Sequence, residues 1–156
     1  MVSGFNMKVL HYDPYAEGSI PLDEMLPQCD FISVHCPLTP ETEKIISKGR
    51  LSRMKKNALL VNTSRGPVVD EAAPADALAN GELGGAALDV LCDEPPKADN
   101  PLLKLDKVIL TPHAGAFSAD FEKNFRECSV QKLETICRSL EKQCLQIGSS
   151  ECRRII

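Results

Sequence analysis

Short apolar runs that end on polar residues alternate with stretches of helical spacing along this chain. The pattern predicts β-strands at 7–13, 31–36, 58–61, 84–90 and 107–113. It predicts helices at 20–29, 44–54 and 70–80, and a long one over 117–145. Strands that alternate with helices in this way favour a parallel, doubly wound α/β sheet.

The stretch Asn57–Gly66 contains the clearest of these strands and the most informative loop. Residues 58–61 are all apolar, which predicts a strand that is buried on both faces. The run 31–36 predicts a second buried strand. The strand ends on small or polar residues, the last of which is Arg65. Ligands of open α/β sheets bind beyond the carboxyl ends of the strands, where an arginine can bind a carboxylate through two parallel hydrogen bonds. From this stretch alone, a surface arginine in an ordinary loop is the simpler interpretation.

Composition narrows the possible functions. The 156 residues are enough for one domain, and 18 basic against 22 acidic residues give a net charge of −4, so no basic surface predicts nucleic-acid binding. No apolar run is long enough to span a bilayer, and no membrane role is expected. The seven cysteines are irregularly spaced and fit a reduced, cytoplasmic protein without a disulfide framework or a metal site. The expected domain covers 1–147, followed by a flexible C-terminal tail at 148–156.

Charged or polar residues lie at four predicted strand ends that a parallel sheet would bring to one edge. They are Asp13, Arg65, Asp89 and His113, and Glu94 lies in the loop after Asp89. An arginine for a carboxylate, a histidine for proton transfer and a glutamate to orient it make a coherent acid–base set. Each also has an ordinary role, such as an Asp-Pro turn, a helix cap, the start of a turn or a solvated loop carboxylate. Their common edge favours a site.

Four motifs carry a family resemblance. They are His35-Cys-Pro-Leu-Thr-Pro-Glu-Thr42, Val61-Asn-Thr-Ser-Arg-Gly66, Gly85-Ala-Ala-Leu-Asp-Val90 and Leu110-Thr-Pro-His113. In order and spacing they resemble the NAD-dependent D-2-hydroxyacid dehydrogenases, from about Met7 to Leu140, and the stretch 89–103 is most similar to the glycerate dehydrogenase, or hydroxypyruvate reductase, branch. The resemblance implies a Rossmann-like NAD-binding fold, NAD as cofactor, a small 2-oxo or 2-hydroxy acid such as hydroxypyruvate or glyoxylate as substrate, and a homodimer.

The same resemblance implies a role for each residue at the edge. Arg65 would bind the carboxylate and the 2-oxo oxygen of the substrate. His113 would protonate the carbonyl as hydride arrives from the nicotinamide, and Glu94 would pair with His113. Asp89 would hold the nicotinamide carboxamide, and Asp13 would hold the adenosine ribose, which favours NAD over a 2′-phosphorylated cofactor. Further residues would line the cofactor cleft: Cys36, Pro37, Thr42, Thr63, His113 and Gly115.

The sequence also departs from the family. The Gly-rich G-x-G-x-x-G turn that supports the pyrophosphate, with its strand, is expected before Met7 and is not found, so the retained strands would flank a gap. The segments of a separate substrate domain are missing too. Three hypotheses follow. The chain descends from a working enzyme and keeps its catalytic residues but not its phosphate cradle, so that it binds the cofactor weakly and is not expected to turn over alone; it is a truncated product that folds only with another chain; or it is a non-catalytic interaction module.

Overall fold

The computed structural model describes residues 6–118 and 120–147, and the side chains within these ranges up to residue 138. The chain divides into two compact units, Met1–Gly115 and Ala116–Ile156. The expected domain end at residue 147 stays a prediction, and the expected tail at 148–156 lies outside the described residues. No helix in the described ranges is both long and apolar enough to cross a bilayer.

The first unit contains a parallel sheet and short helices, and the second contains one long helix. The strands are β1 (Phe31–Val34), β2 (Leu59–Asn62), β3 (Gly85–Leu88) and β4 (Val108–Leu110). The α-helices are α1 (Leu22–Met25), α2 (Lys48–Leu51), α3 (Ala72–Ala79) and α4 (Phe121–Ile147). Three 3₁₀ helices cover Leu26–Gln28, Gly66–Val68 and Pro101–Lys104.

The sheet has the order β1-β2-β3-β4, and every neighbouring pair is parallel. Val34 lies beside Asn62, Asn62 beside Leu88, and Leu88 beside Leu110, so the four strands end in one row. The predicted parallel α/β sheet is therefore confirmed. The segments that follow the strands begin side by side along one edge.

The core lies between one face of the sheet and the short helices. Its largest fully buried side chains are Leu26, Leu51, Leu60, Leu83 and Leu102. The predicted helix at 20–29 is present as α1 and the following 3₁₀ turn, and its apolar side chains are buried. The helix predicted at 70–80 begins at Ala72, which puts Pro74 in the first turn, where no intrahelical N–H bond is lost.

The helix predicted at 44–54 is wrong in extent, because only Lys48–Leu51 is helical. Lys44 has a φ of 50°, which an α-helix cannot contain. Ile46 then forms a parallel bridge with Val69 instead of a helical turn. The segment before α2 is thus bound to the chain that follows β2.

The strand predicted at 7–13 is also wrong, because this segment does not join the sheet. A strand needs a neighbour for its N–H and C=O groups, and in the sheet formed by the described residues β1 is an edge strand that does not pair with 7–13. The backbone of 7–13 is bound to the following residues through the His11 carbonyl, which accepts from Ile20 N–H at 3.0 Å. Val9 is 55% exposed, as expected for a segment without a sheet partner.

Burial on both faces of β1 and β2 was predicted, and it holds for one face only. Ile32 and Val34 point into the core, whereas Phe31, on the opposite face of β1, is 56% exposed. In β2, Leu60 is fully buried and its alternate residues are half-buried. Successive side chains of a strand point to opposite faces, so a continuous apolar run cannot by itself show whether both faces are covered.

Candidate active site

The aligned carboxyl ends of the strands bring the segments with the candidate residues together. Arg65 follows β2, Asp89 follows β3 and His113 follows β4. Neighbouring strands lie about 4.8 Å apart, so the backbones after β2 and β4 are separated by roughly 10 Å. Two long side chains can approach a small organic acid from both sides across that distance.

His113 and Glu94 form the closest pair of titratable groups at this edge. His113 Nδ1 lies 2.8 Å from Glu94 Oε2, and Leu91 N–H donates to Glu94 Oε1 at 3.0 Å. The hydrogen bond from His113, followed by that from Leu91, lowers the pKa of the Glu94 carboxyl below its usual value. The His113 side chain is 47% exposed, and its Nε2 forms no hydrogen bond with the described residues. The pairing predicted from the sequence is present in the structure.

Asp89 builds the turn that carries His113. Its buried carboxylate accepts hydrogen bonds from the Thr111 hydroxyl, from Ala114 N–H at 2.8 Å and from Gly115 N–H at 2.8 Å. The bond from Thr111 is the largest cause of a lowered pKa at Asp89. The His113 N–H also donates to the Asp89 carbonyl at 2.9 Å.

These bonds hold His113 in an unusual backbone conformation. Its φ of 53° lies in the left-handed region, which costs a non-glycine residue about 1 kcal/mol. Gly115 fits beside the carboxylate only because it lacks a side chain, since a Cβ there would lie 2.8 Å from Asp89 Oδ2. Asp89 thus fixes the direction in which His113 leaves the backbone.

Asn62 orders the loop that presents Arg65. The Asn62 side chain is buried, accepts from Ser64 N–H at 3.0 Å and donates to the Arg65 carbonyl at 3.0 Å. The Arg65 side chain is exposed, and its Nη1 donates to the Ser64 carbonyl at 2.6 Å. No carboxylate of the described residues lies within 4.0 Å of its guanidinium. Its donors therefore have no competing anionic partner in the described part of the chain.

Gly66 brings the Arg65 segment against the loop of Glu94. A Cβ on Gly66 would lie 2.1 Å from the carbonyl carbon and oxygen of Leu91 and 2.6 Å from Cys92 N, all backbone atoms. Only glycine permits this approach. Asn62, Gly66, Glu71 and Leu91 also line one small cavity, so the two segments share a packed boundary.

Asp13 lies in a turn, the ordinary role considered for it. Its Oδ1 accepts from Tyr15 N–H at 2.9 Å, and its N–H donates to Ser19 Oγ at 2.9 Å. The residue is exposed, and its second carboxylate oxygen accepts no hydrogen bond from the described residues. A ribose hydroxyl can still bind to that oxygen.

The other expected cofactor residues follow β1 and β2. Thr42 Oγ1 donates to the Pro37 carbonyl at 2.6 Å and closes the loop after β1. Cys36 is half-buried and packs on the core, and burial raises the pKa of its thiol. Thr63 is exposed at the end of β2. These residues share the edge with Arg65 and Asp89, which fits a ligand that extends along the strand ends.

The sequence alone did not identify three residues that hold this site together. Asn62 had a detectable signal, because it is an amide directly after a buried apolar run. Thr111 follows β4 and had no signal apart from its place in a motif. Glu71 had none, because an acidic residue at the start of a helix has an ordinary capping role. Within the described ranges, no three His, Cys, Asp or Glu side chains form a group that could hold a metal.

Comparisons with known proteins agree with the geometry. The family profile described as "D-isomer specific 2-hydroxyacid dehydrogenase, NAD binding domain" matches residues 1–115. A putative 2-hydroxyacid dehydrogenase of Haemophilus influenzae is 49% identical over 122 residues, which are 72% of this chain and 39% of that protein. A glyoxylate reductase of Korarchaeum cryptofilum is 42% identical, over 83% of this chain and 42% of that protein. A hydroxypyruvate reductase of Blautia hydrogenotrophica is 39% identical, over 86% of this chain and 44% of that protein. The chain thus spans about two fifths of the length of these curated relatives.

Solved structures of similar fold include D-lactate dehydrogenases. The enzyme of Aquifex aeolicus, in complex with NAD and lactic acid, is 33% identical with a TM-score of 0.77, and the match covers 90% of this chain and 49% of that one. The enzyme of Lactobacillus jensenii, with NAD⁺, is 33% identical with a TM-score of 0.74, and the match covers 83% of this chain and 45% of that one. The fold of this chain thus has counterparts in D-lactate dehydrogenases.

Proposed function

Because this chain belongs to the D-isomer specific 2-hydroxyacid dehydrogenases, as part of their NAD-binding domain, we propose that its site interconverts a small 2-oxo acid and the D-2-hydroxy acid with NAD(H). The observation that carries the proposal is the His113–Glu94 pair, 2.8 Å apart, at the sheet edge that also presents Arg65. An acid–base group beside a cation that can bind a carboxylate is what reduction of a 2-oxo acid requires.

His113 has the proton chemistry that the reaction needs. In the reduction, two electrons enter the carbonyl carbon, and the oxygen takes up one proton. His113 Nε2 gives that proton, while Nδ1–H stays with Glu94, whose carboxylate stabilises the charged imidazole before the transfer. In the oxidation, Nε2 takes the hydroxyl proton. Glu94 is ionised at neutral pH, as a glutamate ordinarily is, and the lowered pKa of its carboxyl favours the ionised form further.

Arg65 orients the substrate. Its guanidinium can bind the substrate carboxylate through two parallel N–H···O bonds, which fixes the 2-oxo group beside it. The Asn62 amide holds the backbone of this loop, so the guanidinium is presented from an ordered base.

Asp13, Asp89 and the segments after β1 and β2 would hold the cofactor. Asp13 retains an oxygen for a ribose hydroxyl, and Asp89 Oδ2 accepts one hydrogen bond from the protein and can accept another from an amide. When NADH is bound, it supplies the hydride. Cys36, Pro37, Thr42, Thr63 and Gly115 would line the same cleft. Asp13 favours a cofactor without a 2′-phosphate.

Hydroxypyruvate and glyoxylate are the proposed substrates, since the stretch 89–103 is similar to that branch and relatives carry those names. The proposed compartment is the cytoplasm, because seven irregularly spaced cysteines are typical of a reduced protein. Assembly as a homodimer rests on the resemblance alone.

The proposal is tested by measuring initial rates of NADH oxidation by the 156-residue chain, with hydroxypyruvate or with glyoxylate, at millimolar NADH. His113→Gln should lower kcat by roughly a hundredfold or more, because the general acid is gone. Arg65→Gln should raise KM by roughly a hundredfold, because two charge-assisted hydrogen bonds are lost. Arg53→Gln is the matched control, since Arg53 precedes β2 at the other end of the strand and binds Asp23. Equal rates in the wild type and in His113→Gln would refute the assignment.

A further inference from the structure

Glu71 joins both ends of an irregular loop that carries Glu94. Its Oε2 accepts from Cys92 N–H at 2.5 Å, and its Oε1 accepts from Asn100 Nδ2 at 2.6 Å. Asn100 Oδ1 in turn accepts from Leu102 N–H at 3.0 Å and caps the following 3₁₀ helix. We call the segment 92–100 the Glu94 loop. One side chain, 21 and 29 residues away in sequence, binds both of its ends.

The Glu94 loop has few other constraints. It contains no helix or strand, and most of its residues are exposed. The ion pair between Lys97 and Asp93, at 3.0 Å, joins two side chains that are more than half exposed, and such pairs contribute little. Apart from the bonds of Glu94 to Leu91 and His113, its position therefore depends on the anchors at its ends.

The carboxylate of Glu71 is not used by its own helix. Glu71 is the N-cap residue of α3 but forms no side-chain cap hydrogen bond, although acidic groups at helix starts commonly bind the helix amides. It is half-buried and directed to the loop instead. Glu71 also belongs to the segment that carries Arg65, and Gly66 of that segment packs on the backbone of Leu91.

We propose that Glu71 is a positioning residue, whose carboxylate holds the Glu94 loop so that Glu94 meets His113 and stays in register with the Arg65 segment. The connection runs from Glu71 to Cys92 N–H, through Leu91 N–H to Glu94 Oε1, and from Glu94 Oε2 to His113. The inference depends on the proposed function only for the chemical use of the Glu94–His113 pair.

Carboxyl titration of Glu94 by carbon NMR tests this in the full chain. In the wild type, hydrogen bonds from His113 and Leu91 hold the pKa of Glu94 below its usual value. Glu71→Gln keeps only one of the two side-chain oxygens that accept hydrogen bonds from the loop, so the loop should loosen. The pKa of Glu94 should then rise toward the value that it has in His113→Gln, where the hydrogen bond from His113 is absent. Loss of the Glu71 charge alone acts in the opposite direction, because less repulsion lowers the pKa of a neighbouring carboxyl. The sign of the change separates positioning from simple electrostatics.

Two further variants make the test specific. Asp70→Asn removes a charge one residue away, and the Asp70 carboxylate accepts no hydrogen bond from the described residues, so the pKa of Glu94 should stay or fall. Asn100→Ala releases one end of the loop and should raise the pKa of Glu94 less than Glu71→Gln does. If Glu71→Gln does not fold, a rise in Asn100→Ala supports the proposal and no rise overturns it.

The proposal is overturned if folded Glu71→Gln leaves the pKa of Glu94 unchanged or lowers it. The titration needs neither cofactor nor turnover. A rise in a chain that fails to reduce hydroxypyruvate would support the positioning role and refute the proposed function, so the two failures are distinguishable.

Discussion

Replacing Asp89 with asparagine is the sharpest test of how the site is built. The Asp89 carboxylate accepts from the Thr111 hydroxyl, Ala114 N–H and Gly115 N–H. An asparagine side chain keeps one oxygen, which can still accept the first two bonds. Its NH₂ group, however, takes the place of the oxygen that faces Gly115 N–H, so two donors oppose each other.

The magnitude follows from these contacts. The Gly115 N–H that loses its partner is only partly buried, so its loss costs about 1 kcal/mol, the low end for an unsatisfied donor, and each of the two remaining bonds loses about 1 kcal/mol when its acceptor is no longer charged. Together these effects predict that the free energy of unfolding falls by about 3 kcal/mol. At this chain length the melting temperature should fall by roughly 10 °C.

The pH dependence carries a second test. Because the pKa of Asp89 is lowered in the folded chain, its stabilisation is present above the unfolded-state pKa of about 3.9 and is lost as pH falls through the lower folded-state value. The asparagine that replaces it does not titrate. The difference in stability between the wild type and Asp89→Asn should therefore be full at neutral pH and should narrow in acid.

Urea denaturation at neutral and acid pH measures both effects. Asp106→Asn serves as the matched control, since Asp106 is exposed before β4 and its carboxylate accepts no hydrogen bond from the described residues. An Asp89→Asn protein as stable as the control at neutral pH, or a difference that widens in acid, would refute this view of the His113 turn.

Three more changes probe other contacts. Gly66→Ala should destabilise the chain by about 3 kcal/mol, because the added methyl meets the backbone of Leu91, and unchanged urea stability would contradict the close approach. The pKa of the Cys92 thiol is raised to about 11 by burial, by its hydrogen bond to Glu71 and by the charge of Glu71. Glu71→Gln should therefore speed alkylation of the thiol at mildly alkaline pH. Peptide mapping measures the rate of alkylation, and an unchanged or slower rate would contradict the prediction. Asp13→Ala should weaken NADH binding at least roughly tenfold in a fluorescence titration, whereas Glu17→Ala should not; equal affinities would exclude Asp13 from the ribose site.

The parallel sheet could be predicted because each strand has a local signal. Apolar runs that end on polar residues predicted β1 to β4 and the row of strand ends. The family motifs predicted the His113–Glu94 pair. The segment 7–13 has the same local pattern but no neighbouring strand, and pairing is a property of two segments. Phe31 is exposed for a different reason, because its side chain lies on the face of β1 opposite the core.

The supporting residues were harder to predict because their partners are distant in sequence. Asp89 was assigned to the cofactor from family resemblance, but in the structure it mainly bonds the turn of residues 111–115. Glu71 binds a loop more than 20 residues away. Nothing in its local sequence indicates that its carboxylate faces the loop and not its own helix.

The enantiomer formed from hydroxypyruvate tests the proposed function most directly, because this acid gives a chiral product and glyoxylate does not. Millimolar NADH offsets the weak cofactor binding expected without the Gly-rich turn, so the 156-residue chain should form D-glycerate under these conditions, and His113→Gln should form it at a rate lower by roughly a hundredfold or more. Chiral chromatography of the product distinguishes the outcomes. L-glycerate, a racemate, or no glycerate from the wild type would contradict the proposed reaction at this site.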